Sequence, residues 1–202
     1  RTIQQDLRDI APTIFLGVPR IWEKMQSDIL IQSKKKNLQS TILRKALNAS
    51  RKFNNLWIRP NVLNSLERYL WDLIIFRHVR NGIGLTNCRI AISGAAPISQ
   101  ETLKFFRGLG LPLVEGFGMT ETSGACAIQK LEISSEDSIG FPFDGVSLKL
   151  GEDGELLIKG DCVFVGYYKD SKSTNESIKD GWLHTGDIAK IFKDGSASII
   201  DR

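Results

Sequence analysis

The placing of glycine most constrains what this chain can fold into. Of its 18 glycines, three lie before residue 91 and 15 after it. A glycine-poor stretch can sustain long helices, whereas repeated glycine punctuates strands with tight turns. Charge divides at the same place. Residues 1–90 hold 16 Lys/Arg against 6 Asp/Glu, and residues 91–202 hold 11 against 17. Two differently built regions joined near residue 90 are therefore predicted.

Residues 20–80 carry apolar side chains at helical spacing. Ile21, Met25 and Ile29 share one face, as do Leu38, Ile42, Ala46 and Ala49, and then Leu63, Leu66, Leu70, Leu73 and Ile74. Pro60 interrupts the pattern and sets a new helix start at Asn61 or Val62. Beyond it, Cys88–Ser93 reads as a short strand, Ser99 or Gln100 opens a helix through Leu103, Phe106 and Leu109, and Leu111–Val114 reads as a second strand. Strand, helix and strand in so few residues predict a βαβ unit. From about residue 139 the texture is β-rich. Asp-Gly pairs occur at 144–145, 153–154, 180–181 and 194–195; Ser147–Leu150 and Glu155–Lys159 flank one of them and Ile188–Phe192 and Ser196–Ile200 another, a hairpin signal that predicts a small barrel or a twisted antiparallel sheet. The fold class expected is mixed α/β.

Several functions drop out. No run of 18 uncharged apolar residues exists to span a bilayer, and the first residues carry no apolar signal core. Cys88, Cys126 and Cys162 are widely spaced and form no CxxC pair, so neither a zinc site nor a disulfide framework is indicated. Neither a dinucleotide fingerprint nor a P-loop string is present.

Three clusters could carry chemistry. Gly94-Ala95-Ala96-Pro97 and Glu115-Gly116-Phe117-Gly118-Met119-Thr120-Glu121-Thr122 each follow a predicted strand. Turns there expose backbone N–H groups and let a ligand approach closely. A hydroxyl at Thr120 can bind a phosphate oxygen, a carboxylate at Glu121 can hold Mg²⁺, and Phe117 offers a face to an aromatic base. The same residues also suit a tight turn ending on an N-cap threonine, the reading that composition alone favours. In the third cluster, Trp182-Leu183-His184-Thr185-Gly186-Asp187, an Asp fixed after glycine can accept both hydroxyls of a ribose, or can cap its own backbone in an Asx turn. His78 reads as a packed helical residue, and Lys34-Lys35-Lys36 as a solvated face.

Taken in order, these strings resemble the acyl-adenylate-forming superfamily. The resemblance rests on Ser93-Gly94-Ala95-Ala96-Pro97, Gly116 to Thr122, Gly154-Glu155-Leu156-Leu157-Ile158-Lys159-Gly160, Val165-Gly166-Tyr167-Tyr168, Gly181 to Asp187 and Ile200-Asp201-Arg202. The segment Ala11 to Lys24, with Val18-Pro19-Arg20 at its centre, and the basic helical stretch after it resemble the branch of long-chain fatty acid–CoA ligases.

The resemblance implies that a carboxylate attacks the α-phosphate of Mg·ATP to give an acyl-adenylate and pyrophosphate, and that the thiol of coenzyme A then displaces AMP. It implies that Gly94, Ala95 and Ala96 pack on adenine, with Phe117 stacked on it and Glu115, Gly116, Gly118 and Met119 completing the nucleotide-binding string. Thr120 would bind phosphate and Glu121 would coordinate Mg²⁺. Asp187 would hold the ribose hydroxyls, and Arg202 would contact ribose and phosphate. Residues 1–138 would form the helical and α/β portion of the AMP-binding domain, and 139–202 a β-rich, barrel-like subdomain ending at a hinge. The family's Thr-Gly-x-Pro-Lys phosphate loop and its lysine-bearing C-terminal domain have no counterpart in these residues, so an internal piece with little ligase activity alone is expected. The implied partners are a long-chain fatty acid, ATP and coenzyme A. Nucleic acid is not expected. The implied setting is cytoplasmic, with the basic helical half suited to a membrane surface. A non-catalytic AMP- or acyl-binding homologue and an adenylating enzyme with another acyl acceptor stand as alternatives. Retention of Thr120, Glu121, Asp187 and Arg202 favours the ligase over the first, and Val18-Pro19-Arg20 over the second.

Overall fold

The computed structural model describes residues 2–53, 62–131 and 138–201. They form two compact units, Arg1–Val114 and Glu115–Arg202.

The first unit opens with helix α1 (Ile3–Ile10), started by a capping box in which Thr2 and Gln5 satisfy each other's backbone N–H groups. Strand β1 (Ile14–Gly17) follows, then α2 (Pro19–Ser33), whose Pro19 suits a first helical position because no N–H is needed there. Helices α3 (Leu38–Phe53) and α4 (Val62–Trp71) come next, then a π-helical turn at Asp72–Phe76 and α5 (Arg77–Gly82). The expected helix start at Asn61 or Val62 falls at the edge of the described residues: α4 is described from Val62, and Pro60 and Asn61 lie outside. Strand β2 (Ile90–Ser93) pairs in parallel with β1, and α6 (Gln100–Gly108) is capped by Ser99.

Helices α2, α3 and α6 pack around Trp22, Met25, Phe53, Phe76, Leu103 and Phe106, all buried. Phe15 and Phe106 meet Trp22 edge-on at 5.2 Å, the arrangement that aromatic quadrupoles prefer. Gly108 lets α6 approach α3 closely, since a Cβ there would lie 2.5 Å from the Ser50 carbonyl. The π-helical turn places Asp72 against Arg80, whose guanidinium also donates to the Leu109 carbonyl at 2.7 Å. On α4 the helical spacing is realised, yet Val62, Leu63, Leu66, Tyr69 and Leu70 are all exposed. Lys34, Lys35 and Lys36 are exposed between α2 and α3.

The chain passes along β3 (Leu113–Met119) into the second unit. There β3, β4 (Gly124–Ile128) and β5 (Phe141–Pro142) pair antiparallel. A second antiparallel sheet follows, built from β6 (Ser147–Leu150), β7 (Glu155–Lys159), β8 (Ile178–Lys179), β9 (Trp182–Ile191) and β10 (Ala197–Asp201). Its order is β10-β9-β7-β6, with β8 also on β9. Asp153-Gly154 joins β6 to β7, Asp180-Gly181 joins β8 to β9, and Asp194-Gly195 joins β9 to β10, so three of the four Asp-Gly pairs turn hairpins, the two with named flanking strands among them. Asp144-Gly145 turns the chain between β5 and β6, which do not pair with each other. Beyond the named strands, Gly140 bridges Ala197 at the β10 edge. The short helix α7 (Ser171–Ser177), capped by Asp170, precedes β8. Cys126, Ala127, Ile139, Leu156, Ile158, Leu183 and Ala197 form this unit's core.

Candidate functional site

In the first unit Gly94, Ala95, Ala96 and Pro97 leave the carboxyl end of β2. Gly94 is buried while Ala95, Ala96 and Pro97 are exposed. Ala95 has φ +70, a left-handed conformation that costs an alanine about 1–2 kcal/mol. At the base of this loop the buried Ser93 hydroxyl finds no hydrogen-bond partner among the described residues. A buried hydroxyl left unsatisfied at a strand's carboxyl end is a group that a polar ligand would satisfy.

In the second unit the glycine string was expected to be a turn, and most of it is strand. Glu115, Gly116, Phe117, Gly118 and Met119 all lie on β3, with a bulge between Phe117 and Gly118. Gly118 serves the neighbouring strand, because a Cβ there would strike the Gly124 carbonyl. Phe117 and Met119 are half-buried against the core. The Glu115 backbone N–H donates to Gln129 Oε1 at 3.0 Å. The chain turns only at Thr120–Thr122, a short 3₁₀ turn ending in Ser123 at φ +54. The cap hydroxyl there is that of Thr122, which accepts from the Met119 N–H and donates to the Gly124 carbonyl at 2.7 Å. That leaves Thr120 exposed with Glu121 beside it. Near this turn, burial pushes the Cys126 thiol up to about 11.

Glu121 is held from two directions. Its backbone carbonyl accepts the Phe164 N–H at 2.8 Å, and its Oε1 accepts the Tyr167 hydroxyl at 2.7 Å. Donation to this carboxylate holds the Tyr167 phenol above its usual range. Glu121 and Thr120 offer oxygen donors only, a carboxylate beside a hydroxyl. Among the described residues no cluster of three His, Cys, Asp or Glu could cage a metal. A carboxylate beside a hydroxyl suits Mg²⁺, which binds through one or two carboxylates and completes its shell with water and substrate phosphate.

Asp187 lies inside β9, on the other sheet, 6% exposed. The turn expected around it is a bulge in the strand. Gly186 has φ +73, and the register between β7 and β9 shifts opposite it. Glu155 clamps this bulge, accepting the Gly186 N–H on Oε1 at 2.8 Å and bonding His184 Nδ1 through Oε2 at 2.7 Å. Thr185 donates to the Leu156 carbonyl and accepts the Asp187 N–H, so the Asp187 backbone is tied to β7 through one hydroxyl. Arg202 lies outside the described residues.

The structure thus joins Thr120 to Glu121 in one turn, sets Asp187 in a different sheet of the same unit, and places Gly94–Ala96 in the other unit. Ser93, Glu155 and Tyr167 were given no role from sequence. All three lie inside the strings already singled out, which was the signal available.

The AMP-binding enzyme family matches residues 1–168. A long-chain-fatty-acid–CoA ligase of Mycobacterium bovis is 34% identical over 193 residues, covering 95% of this chain and 32% of that protein. Another long-chain-fatty-acid–CoA ligase, from Gallus gallus, is 34% identical over 208 residues, covering all of this chain and 27% of its own length. A long chain acyl-CoA synthetase of Arabidopsis thaliana is 35% identical over 217 residues, with 99% and 32% covered. The chain therefore spans between about a quarter and a third of the length of these relatives. Among solved structures, apo MatB from Rhodopseudomonas palustris shares the fold at TM-score 0.65 and 19% identity, over 98% of this chain and 33% of that one. An o-succinylbenzoate coenzyme A synthetase from Bacillus subtilis, in complex with ATP and magnesium ion, matches at TM-score 0.54 and 28% identity, over 57% of this chain and 27% of its own.

Proposed function

The chain belongs to the AMP-binding enzyme family, and on that premise we propose that it supplies nucleotide-binding elements of an ATP-dependent long-chain fatty acid–CoA ligase. The activity assigned is that of the protein in its full natural length. A fatty acid carboxylate attacks the α-phosphate of ATP and expels pyrophosphate, and the thiol of coenzyme A then attacks the acyl carbon and expels AMP. Neither step needs a protein nucleophile. What is needed is alignment and placement of charge.

The residues divide that work. Ala95 and Ala96, exposed beyond the buried Gly94, suit packing against an adenine, and in the second unit Phe117 suits stacking on an aromatic base. Thr120 donates its hydroxyl to a phosphate oxygen. Asp187, fixed by the Thr185 and Glu155 contacts, accepts the ribose hydroxyls. Arg202 adds a cation to the ribose and phosphate. Glu121 would hold Mg²⁺, which when bound neutralises phosphate charge. Coenzyme A and the fatty acid complete the substrate set. Among the described residues no helix is long and apolar enough to cross a membrane. A cytoplasmic site with peripheral contact through Lys34–Lys36 is part of the proposal.

The observation that carries the reading is the Thr120–Glu121 turn. It presents an exposed hydroxyl beside Glu121, whose backbone carbonyl and Oε1 are already held, on a chain about a third identical to fatty acid–CoA ligases. The test is Asp187→Ala in the full-length protein, followed by ATP–pyrophosphate exchange. Loss of the hydrogen bonds that two hydroxyls donate to a charged acceptor should raise the ATP requirement about tenfold or more. Unchanged exchange would refute the ribose assignment. AMP binding without any exchange by the wild-type protein would favour a non-catalytic homologue.

A further inference from the structure

The string Val165-Gly166-Tyr167-Tyr168 has no part in the chemistry so far, yet it is tied to Glu121 by a chain of contacts. The Tyr167 hydroxyl donates to Glu121 Oε1 at 2.7 Å, across 46 residues of sequence. The Tyr167 N–H donates to Thr174 Oγ1 at 2.9 Å, and that hydroxyl donates to the Asp170 carbonyl at 2.7 Å. Asp170 caps α7, so the tyrosine's backbone is fixed to a helix end. Gly166 permits this. It has φ +142, and a Cβ there would stand 2.6 Å from the Thr174 methyl. The Tyr167 ring also meets Phe164 edge-on at 4.8 Å, and the Phe164 N–H holds the Glu121 carbonyl.

We propose that Tyr167 is a positioning residue whose phenol fixes the Glu121 side chain, leaving Oε2 directed to the cation of the metal–nucleotide substrate. The proposal rests on the reading of Glu121 as the magnesium carboxylate. A flexible Glu must give up rotamer freedom when it binds a cation, and a carboxylate already held by a hydroxyl has lost most of it beforehand. Removing the hydroxyl therefore weakens metal binding and leaves metal-free nucleotide binding alone.

The experiment uses Mn²⁺ in place of Mg²⁺, titrated into the full-length protein with ATP and followed by electron paramagnetic resonance. AMP affinity is measured separately without metal. Tyr167→Phe should raise the Mn²⁺ concentration at half-saturation about fivefold, the scale of one hydrogen bond to a charged group at a partly exposed position, with AMP affinity unchanged. Thr174→Val should shift it about twofold in the same direction, and Thr174→Ser should restore it. If Glu121→Gln weakens Mn²⁺ binding while Tyr167→Phe and Thr174→Val do not, the role given to Tyr167 is overturned and the metal reading stands. If Glu121→Gln also leaves Mn²⁺ binding unchanged, both fall. A Tyr167→Phe protein that loses AMP affinity as much as Mn²⁺ affinity marks a merely structural role and overturns the proposal.

Discussion

Glu155 makes two contacts that hold the bulge of β9 around Asp187, and their removal has a size that can be worked out. Its Oε1 accepts the Gly186 N–H at 2.8 Å and its Oε2 bonds His184 Nδ1 at 2.7 Å. Glu155→Ala deletes both. A hydrogen bond to a charged acceptor contributes about 1.5–3 kcal/mol net. The side chain is 25% exposed, which puts each bond at the lower end. Both bonds leave through one side chain and share a loop, so their energies do not simply add. We expect a loss of about 2 kcal/mol in the second unit. At about 2–4 °C per kcal/mol for a chain of this size, the melting temperature falls by about 4–8 °C. Glu155→Gln keeps an oxygen for Gly186, and should lose less than half as much. The assays are a denaturant melt and amide hydrogen exchange over residues 183–187. Exchange at Gly186 should quicken in the alanine variant. An alanine variant that melts within about 1 °C of wild type, with Gly186 exchange unchanged, would refute the clamp.

Other outcomes follow from single positions. Gly118→Ala drives a Cβ onto the Gly124 carbonyl, backbone that cannot yield, and should cost about 3 kcal/mol in a denaturant melt; a loss below about 1 kcal/mol would count against the close approach of β3 and β4. Ala95→Gly removes a left-handed alanine at the cost of a more flexible unfolded chain, for a net gain of about 0.5–1 kcal/mol, and a loss of stability would contradict the backbone assigned there. Hydrogen bonds from the Ser196 hydroxyl and N–H hold the Asp194 carboxyl below its usual range. The folded state thus favours the carboxylate, so this contribution is present above about pH 4 and is lost as pH falls through the lowered value. Asp194→Asn should flatten the acid limb of the stability curve, and an identical limb would exclude the bond. With its thiol pushed up to about 11, Cys126 should alkylate slowly at pH 8 in the folded chain and readily once unfolded; rapid labelling of the folded protein would contradict its burial.

Local chemistry was legible in the sequence and close approach was not. The helix opened by Ser99 follows from its capping residue, and three Asp-Gly hairpins follow from turn stereochemistry. Each depends on residues a few positions apart. The glycine string of β3 misled because glycine has two uses. One is freedom of the backbone, which predicts a turn. The other is absence of a Cβ, which at Gly118 is required by a strand whose distance no local pattern reports. The same ambiguity hid the bulge at Gly186. Of the candidate site, the residues themselves could be picked out, while the contacts that place them could not. Glu121 to Tyr167 and Gly186 to Glu155 join positions 46 and 31 residues apart.

Those separations also order events in time. The hairpins β6–β7, β8–β9 and β9–β10 close over a few residues each, so their loop entropy is small and they can form early. The tethers on Glu121 and Asp187 close much longer loops and gain their energy only when the sheets already exist. The second unit thus builds its scaffold from neighbours in the chain and arms it last. A change at Asp153-Gly154 should slow folding, whereas a change at Glu155 or Tyr167 should mainly hasten unfolding.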